Sequence, residues 1–409
     1  MQLPEAFNRY TRQMMGEQMF AKLTAALNEV PPVSIRLNPK KTVGMVVAEG
    51  SRVPWCNEGY YLVQRPQFTF DPLLHSGCYY VQEASSMFIT HVLRSLIPQD
   101  SAPLSVLDLC AAPGGKSTAA LTALPAGSKL ISNEPMRQRA KVLGENIAKW
   151  GADNCTVTSM FPKEFQAMGE LFDVVIADVP CSGEGMFRKD PKAADEWSTD
   201  NVERCRKLQR VIVADIWPCL KRGGLMVYST CTYNTRENEE NVGWITASLG
   251  AELLQVPTQQ EWQIKGSLLD TLQGPVYRFI PGMTKGEGLF MAAMRKDGGD
   301  TIEKGVGMKE KGGGLKVVDV QASTAQAESV ATEDISYTQA LSYLRGEAIV
   351  LRPDAPRGIV TVAFQGHPLG PVKNIGTRAN NLYPKEWRIK TTHMPDTYSP
   401  ILKPITRYT

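Results

Sequence analysis

LDLCAAPGGKSTAAL (residues 107–121) runs from a short apolar segment through a turn of small residues into a segment with helical spacing. A strand, a small-residue turn and a helix in that order let backbone approach a ligand closely. They also aim the first N–H groups of the helix at its polar end. A Walker P-loop needs glycine five positions before Gly115, where Cys110 stands, and the dinucleotide fingerprint GxGxxG is absent. ATPase and dehydrogenase chemistry recede. S-adenosylmethionine remains, since its adenosine and methionine ends both suit such a turn.

Outward from this turn, short apolar runs alternate with helical patterns. VLDL (106–109), KLISNEP (129–135), CTVTSM (155–160), FDVVIADVP (172–180) and LMVYSTC (225–231) read as buried strands, and 135–150, 197–220 and 235–249 as helices. That alternation predicts an α/β fold with a parallel sheet covered by helices on both faces. Ligands in such sheets lie beyond the carboxyl ends of the strands. Glu134, ending the second strand, is placed to accept from ribose hydroxyls; its alternative role is a helix N-terminal charge.

The 409 residues allow two to four domains. No run of about 18 uncharged apolar residues occurs, which argues against a membrane span. Glu5, Arg9, Arg12 and Glu17 interrupt the segment where a secretory signal would be apolar, so a cytoplasmic location without membrane association is expected. Eight cysteines without a CxxC pair, and four scattered histidines, suggest neither a disulfide scaffold nor a metal site. The cysteines are then packing residues or nucleophiles. Net charge is +3, yet residues 351–409 hold nine Lys/Arg against three Asp/Glu, leaving the rest of the chain slightly acidic. A basic tail favours a polyanionic partner.

Composition sets the boundaries at an N-terminal domain of residues 1–75, an α/β domain of 76–297, a Gly/Lys/Ser/Ala-rich linker of 298–335 and a small domain of 336–409 with short β-like runs.

Two of the strand ends carry cysteine: Asp178-Val179-Pro180-Cys181 and Ser229-Thr230-Cys231. Either thiol alone reads most simply as a small buried hydrophobe. Two thiols at strand ends facing one crevice suggest a reaction at carbon 5 of cytosine. Adding a thiolate to carbon 6 makes carbon 5 nucleophilic, a second group stabilises charge at ring nitrogen 3, and a third helps collapse the adduct. Cys231, Asp178 and Cys181 suit these roles. The base must also leave its stack, at a cost of a few kcal/mol.

At these residues the chain resembles the Sun/Nol family of RNA (cytosine-5) methyltransferases, and within it the RsmF-type ribosomal RNA branch. The matching motifs are YYVQEASSM (79–87), LDLCAAPGGKS, SNEP with RAKVLGENIAKWGADN, DVPCSGEGMFRKDP, YSTCTYNTRENEENV and GEGLFMAAM (286–294). The tail YLRGE with HPLGPVKNIGTRANNLYPKEWR is similar to a PUA-like RNA-binding domain. The resemblance implies a Rossmann-like seven-stranded core with a small α+β N-terminal domain and a C-terminal PUA-like β-barrel. It further implies S-adenosylmethionine as cofactor and 16S ribosomal RNA or the 30S subunit as partner of a monomer. Cys231 would be the nucleophile and Cys181 would assist product release. Cofactor contacts would fall on Cys110, Ala111, Ala112, Pro113, Gly114, Gly115, Lys116, Glu134 and Asp178. Phe161 stands where the family usually has an acidic residue near the adenine, and its ring can border the base but not accept a hydrogen bond.

For RNA, Arg188 and Lys189 follow the PC loop, Arg36 lies in SIRLNP, and Lys373, Arg378, Lys385 and Arg388 interleave with Tyr383 and Trp387. Cations among aromatics suit phosphate contact and stacking; core roles for the two aromatics are the alternative. Cys56, Cys78, Cys155, Cys205 and Cys219 read as packing residues. Two rivals stay open: a non-catalytic RNA-binding or assembly factor that keeps the fold, and a DNA methyltransferase, which the TC motif and the tail oppose.

Overall fold

In the computed structural model, residues 3–297, 315–318, 331–391, 393–395 and 397–405 are described; most of the linker expected at 298–335 lies outside them. The chain opens with α1 (Glu5–Met15) and α2 (Glu17–Leu27), separated at Gly16, whose φ of 75° favours glycine. Next come β1 (Val33–Leu37), β2 (Met45–Val47), β3 (Gly50–Val53), β4 (Cys56–Leu62), α3 (Pro72–His75), β5 (Tyr79–Val81) and α4 (Phe88–Leu96). The central part holds β6 (Ser105–Asp108), α5 (Gly115–Ala123), β7 (Lys129–Asn133), α6 (Arg137–Trp150), β8 (Cys155–Thr158) and β9 (Phe172–Asp178). It continues with α7 (Pro191–Asp195), α8 (Thr199–Ile216), β10 (Leu220–Thr230), α9 (Glu239–Leu249), β11 (Ala251–Leu253), β12 (Tyr277–Phe279) and β13 (Leu289–Lys296). β14 (Thr332–Asp334), α10 (Tyr337–Leu344), β15 (Gly358–Phe364), β16 (His367–Asn374), β17 (Ala379–Asn381) and β18 (Leu402–Pro404) complete it.

The five apolar runs form neighbouring parallel strands in a sheet of order β11-β13-β10-β9-β6-β7-β8. Beyond these five parallel strands the sheet turns antiparallel at one edge. GEGLFMAAM supplies β13, antiparallel to β10, and β11 and β12 pair antiparallel with β13. Along β9 the side chains alternate between faces. Val174 and Ile176 join Ile89, Val92 and Leu93 of α4 and Ala119, Ala120 and Ala123 of α5. Val175 and Ala177 join Ile212, Val213 and Ile216 of α8 and Val242 and Ile245 of α9. Burial on both faces is why these strands read as continuous apolar runs.

The N-terminal segment divides between two neighbours. Phe7, Leu23 and Leu27 of the helical pair pack against Phe187, Trp197 and Tyr233, close to the PC and TC motifs. Its sheet, β3-β4-β1-β5, reaches Val81, beyond the boundary expected at 75. Ile35, Leu37 and Tyr79 of that sheet share one core with Leu341, Val360, Val372 and Leu402 of the last domain. β18 pairs with β2, so the two terminal domains are joined by backbone as well as by core. Residues 315–318 lie along β8, with Val318 N donating to Val157 O at 2.9 Å and Ser159 N to Lys316 O at 3.0 Å.

Candidate active site

The strand order reverses between β6 and β9: the chain runs outward through β7 and β8, then returns to β9 and β10. The carboxyl ends on either side of such a switch point face a common crevice. From β6 comes Asp108, from β7 Glu134, from β9 Asp178 and Cys181, and from β10 Ser229 and Cys231.

Gly114, with φ 115°, takes a conformation that glycine favours and lets α5 start directly after the turn. Ala111 N donates to Asn133 O at 2.8 Å, and Asn133 Nδ2 donates to Leu109 O and Met160 O, tying the turns after β6, β7 and β8 together. Asp108 is fully buried. Ser132 Oγ donates to Ser117 Oγ at 2.8 Å, and Ser117 Oγ to Asp108 Oδ2 at 2.7 Å. Burial pushes the Asp108 carboxyl up to about 7, with Asp178 and Glu134 adding to the rise against the pull of Ser117 and Lys116. Its Oδ1 is buried with no hydrogen bond. Glu134 accepts from Met136 N at 3.0 Å through Oε1, whereas Oε2 faces Arg139 at 3.2 Å as an ion pair without a hydrogen bond. Two buried carboxylate oxygens with open acceptor capacity fit a ligand bearing ribose hydroxyls and a cationic methionine end, as S-adenosylmethionine does. Cys110 borders the sheet core, and burial pushes its thiol up.

Lys116 is buried in the first turn of α5, with Nζ 2.7 Å from Asp178 Oδ2. Burial alone would lower this ammonium, but the attraction of Asp178, with smaller contributions from Asp108 and Cys231, leaves it raised. Lys116 thus ties the first turn of α5 to the end of β9. Ser229 Oγ donates to Asp178 Oδ1 at 2.7 Å, fixing the carboxylate at both oxygens.

The two thiols meet: Cys181 Sγ lies 3.2 Å from Cys231 Sγ, and Cys231 N donates to Cys181 Sγ at 3.3 Å. The Cys181 thiol is held well above its ordinary value, first by its hydrogen bond to Cys231 and next by burial. Around them a buried polar network joins the two turns. Gly185 N donates to Cys231 O at 2.8 Å, and Ser182 Oγ lies 2.9 Å from Thr232 Oγ1. Glu184 accepts from Trp197 Nε1, Tyr233 N and Asn234 N at 2.9, 2.6 and 2.9 Å. Glu237 accepts from Ser182 N, Gln209 Nε2 and Asn234 Nδ2 at 3.0, 2.7 and 2.8 Å.

Sequence reading brought Cys181, Cys231, Asp178, Lys116 and Glu134 to one crevice but missed Asp108, Glu184, Gln209, Asn234 and Glu237. Asp108 could have been found as a strand-end residue of the opening motif; Glu184, Asn234 and Glu237 lie inside the quoted motifs. Gln209, in mid-helix, gave no signal.

Two expected RNA contacts are corrected. Arg36 is fully buried: Nε donates to Gln82 Oε1 at 2.7 Å and NH2 to Thr118 Oγ1 at 2.5 Å, while the guanidinium lies 4.6 Å from the Trp150 ring. It clamps the N-terminal sheet to α5. Arg188 is 5% exposed, bonding Glu287 Oε2, Ala26 O and Gly286 O. Neither offers a free fork to phosphate. Arg388 is half-buried against Gly346 and donates to Tyr383 O at 3.3 Å. Lys189, Lys373, Arg378 and Lys385 are exposed. Tyr383 is core and Trp387 half-buried. Phe161 is 64% exposed just after β8.

The strand order, the acidic crevice beside a glycine turn and the apposed thiols define a Rossmann-like methyltransferase core. Three family models match in succession: the N-terminal domain of 16S rRNA methyltransferase RsmF over residues 3–84, 16S rRNA methyltransferase RsmB/F over 94–295, and the methyltransferase RsmF PUA domain over 331–389. The chain belongs to the RsmB/F methyltransferase family and carries its RsmF-type flanking domains. Ribosomal RNA small subunit methyltransferase F of Pectobacterium atrosepticum is 35% identical over 60% of this chain and 51% of that protein. The chain thus spans about half the length of that relative. The protein of that name from Cronobacter sakazakii is 29% identical over 94% of this chain and 96% of its own. Among solved structures, a methyltransferase homologue from Pyrococcus horikoshii superposes with a TM-score of 0.60 at 25% identity, covering 72% of this chain and 95% of that one.

Proposed function

We propose that this chain transfers a methyl group from S-adenosylmethionine to carbon 5 of a cytosine in 16S ribosomal RNA, through a covalent bond between Cys231 and carbon 6. The observation that carries this reading is the 3.2 Å apposition of Cys181 and Cys231 at the ends of adjacent strands, beside a doubly anchored Asp178.

When bound, the cofactor supplies an electrophilic methyl on a sulfonium. The turn Cys110–Lys116 and Glu134 would hold it, with Asp108 beneath. Lys116, which Cys231 as well as Asp178 attracts, puts a positive charge on the Cys231 side of the crevice. Cys231 adds to carbon 6, and Asp178 stabilises positive charge at ring nitrogen 3, which makes carbon 5 nucleophilic. After methylation the carbon 5 proton passes to solvent, its C–H electron pair re-forms the 5,6 double bond, and the Cys231 thiolate is expelled, with Cys181 assisting that release. Exposed Lys189, Lys373, Arg378 and Lys385 would contact RNA phosphates, either in 16S RNA or in the 30S subunit. A cytoplasmic monomer suffices for this chemistry.

Tritiated methyl incorporation into 16S RNA and denaturing gels of the protein–RNA mixture test the reading. Cys231→Ala should abolish both methylation and the gel-stable adduct, whereas Cys181→Ala should accumulate the adduct. An adduct formed with Cys231 replaced and Cys181 intact would overturn the assignment.

A further inference from the structure

The peptide units on both sides of Cys181 are gripped by two side chains that touch neither thiol. Gln209, from α8, donates Nε2 to Pro180 O at 2.8 Å and to Glu237 Oε2 at 2.7 Å. Glu237 in turn accepts from Ser182 N at 3.0 Å. Carbonyl before and amide after Cys181 are thus bracketed by one Gln–Glu pair. The same Glu237 reaches the other turn: Asn234 Nδ2 donates to its Oε1 at 2.8 Å and lies 2.9 Å from Thr232 Oγ1, next to Cys231.

From this bracket we infer that Glu237 and Gln209 are positioning residues that set Cys181 against Cys231 and so control the release step, an inference that rests on the function proposed above. Their orientation is over-determined. Gln209 Oε1 accepts from Asn241 Nδ2 at 2.7 Å, so its amide cannot flip without losing that bond. Tyr228 OH donates to Glu237 O at 2.7 Å, and Glu237 N donates to Asn234 Oδ1 at 2.8 Å. In Glu237→Gln, one carboxylate oxygen becomes an NH2 group facing donors from Asn234, Gln209 or Ser182, whichever way the amide turns. A donor facing a donor in a buried site leaves both unsatisfied, and the Cys181 turn must shift. Gln209→Met keeps the apolar volume of the side chain but removes both donated bonds, loosening the turn from the Pro180 side.

A small displacement of a catalytic group costs about ten- to a hundredfold in the step it serves. Because the displaced thiol serves release and not attack, both variants should slow later turnovers far more than the first methyl transfer per enzyme. They should also raise the gel-stable protein–RNA fraction toward that of Cys181→Ala. A general folding defect would lower adduct and first turnover together.

The experiment incubates full-length wild type, Cys181→Ala, Glu237→Gln and Gln209→Met with 16S RNA and tritiated S-adenosylmethionine, reading single-turnover methylation, multiple-turnover rate and adduct on denaturing gels. Adduct accumulation in Glu237→Gln and Gln209→Met with first turnover retained supports the inference. Accumulation in Cys181→Ala but in neither of the other two overturns it and leaves the proposed function standing. No accumulation in Cys181→Ala itself overturns the release role of Cys181, and the positioning role falls with it.

Discussion

The two halves of the crevice treat their buried carboxylates in opposite ways. On the β6–β7 side, Asp108 Oδ1 and Glu134 Oε2 are buried without hydrogen bonds. On the β9–β10 side, the carboxylates of Glu184 and Glu237 and the amides of Asn234 and Gln209 are all engaged by neighbours. Leaving a buried acceptor unpaired costs about 1–3 kcal/mol, so it persists where a ligand completes it. A satisfied network, by contrast, is rigid before any substrate arrives. One half is built to receive a ligand and the other to hold its own geometry.

Asp178 belongs to both halves, bridging Lys116 and Ser229, and its replacement should break the contrast most severely. Asp178→Asn is expected to cut the single-turnover methylation rate about a hundred- to a thousandfold, as when a preorganised electrostatic group is lost. Asn234→Ala removes donors from Glu237 and Glu184 within the satisfied half. Chemical denaturation should show a loss of about 2 kcal/mol, with cofactor affinity measured by calorimetry little changed. Glu134→Gln tests the open half and should do the reverse: affinity for S-adenosylmethionine falls about tenfold, corresponding to about 1.4 kcal/mol, while the denaturation midpoint hardly moves.

The smallest effect is a pH dependence. Asp108 titrates at about 7 in the fold, above its ordinary value of 3.8, so the folded chain holds the extra proton between those limits. Its contribution to stability without ligand therefore declines as pH rises from about 4 to 7, following the linkage relation. The charged form, facing Lys116, Ser117, Asp178 and Glu134, is the better partner for a cationic ligand. Cofactor affinity should rise a few-fold between pH 6 and 8 in wild type, and Asp108→Asn should flatten that rise.

Much of this was legible in the chain. Apolar runs buried on both faces give an unambiguous signal, so the five parallel strands fell close to their observed ends, and with them Cys181, Cys231, Asp178 and Glu134. What stayed hidden depends on contacts between residues far apart in sequence. Arg36 and Arg188 carry a charge that reads as exposed, and their burial follows from acceptors on α5 and in the 286–287 loop. Gln209 acquires its role only when α8 is laid across the Pro180 turn. β5 lies past residue 75 yet finds its partner in β1, back across the sequence.

The pairing of β18 with β2 sets an order of events during synthesis. Leu402–Pro404 complete a ladder with Met45–Val47, and Leu402 fills a core begun by Ile35 and Leu37. Chains emerge N-terminal end first, at about 5–20 residues per second. The first domain therefore waits for the last strand to leave the ribosome before its edge is closed. A nascent chain lacking β18 presents an open strand edge and an incomplete core, so translation that stops just short of the last strand leaves a defect in the first domain.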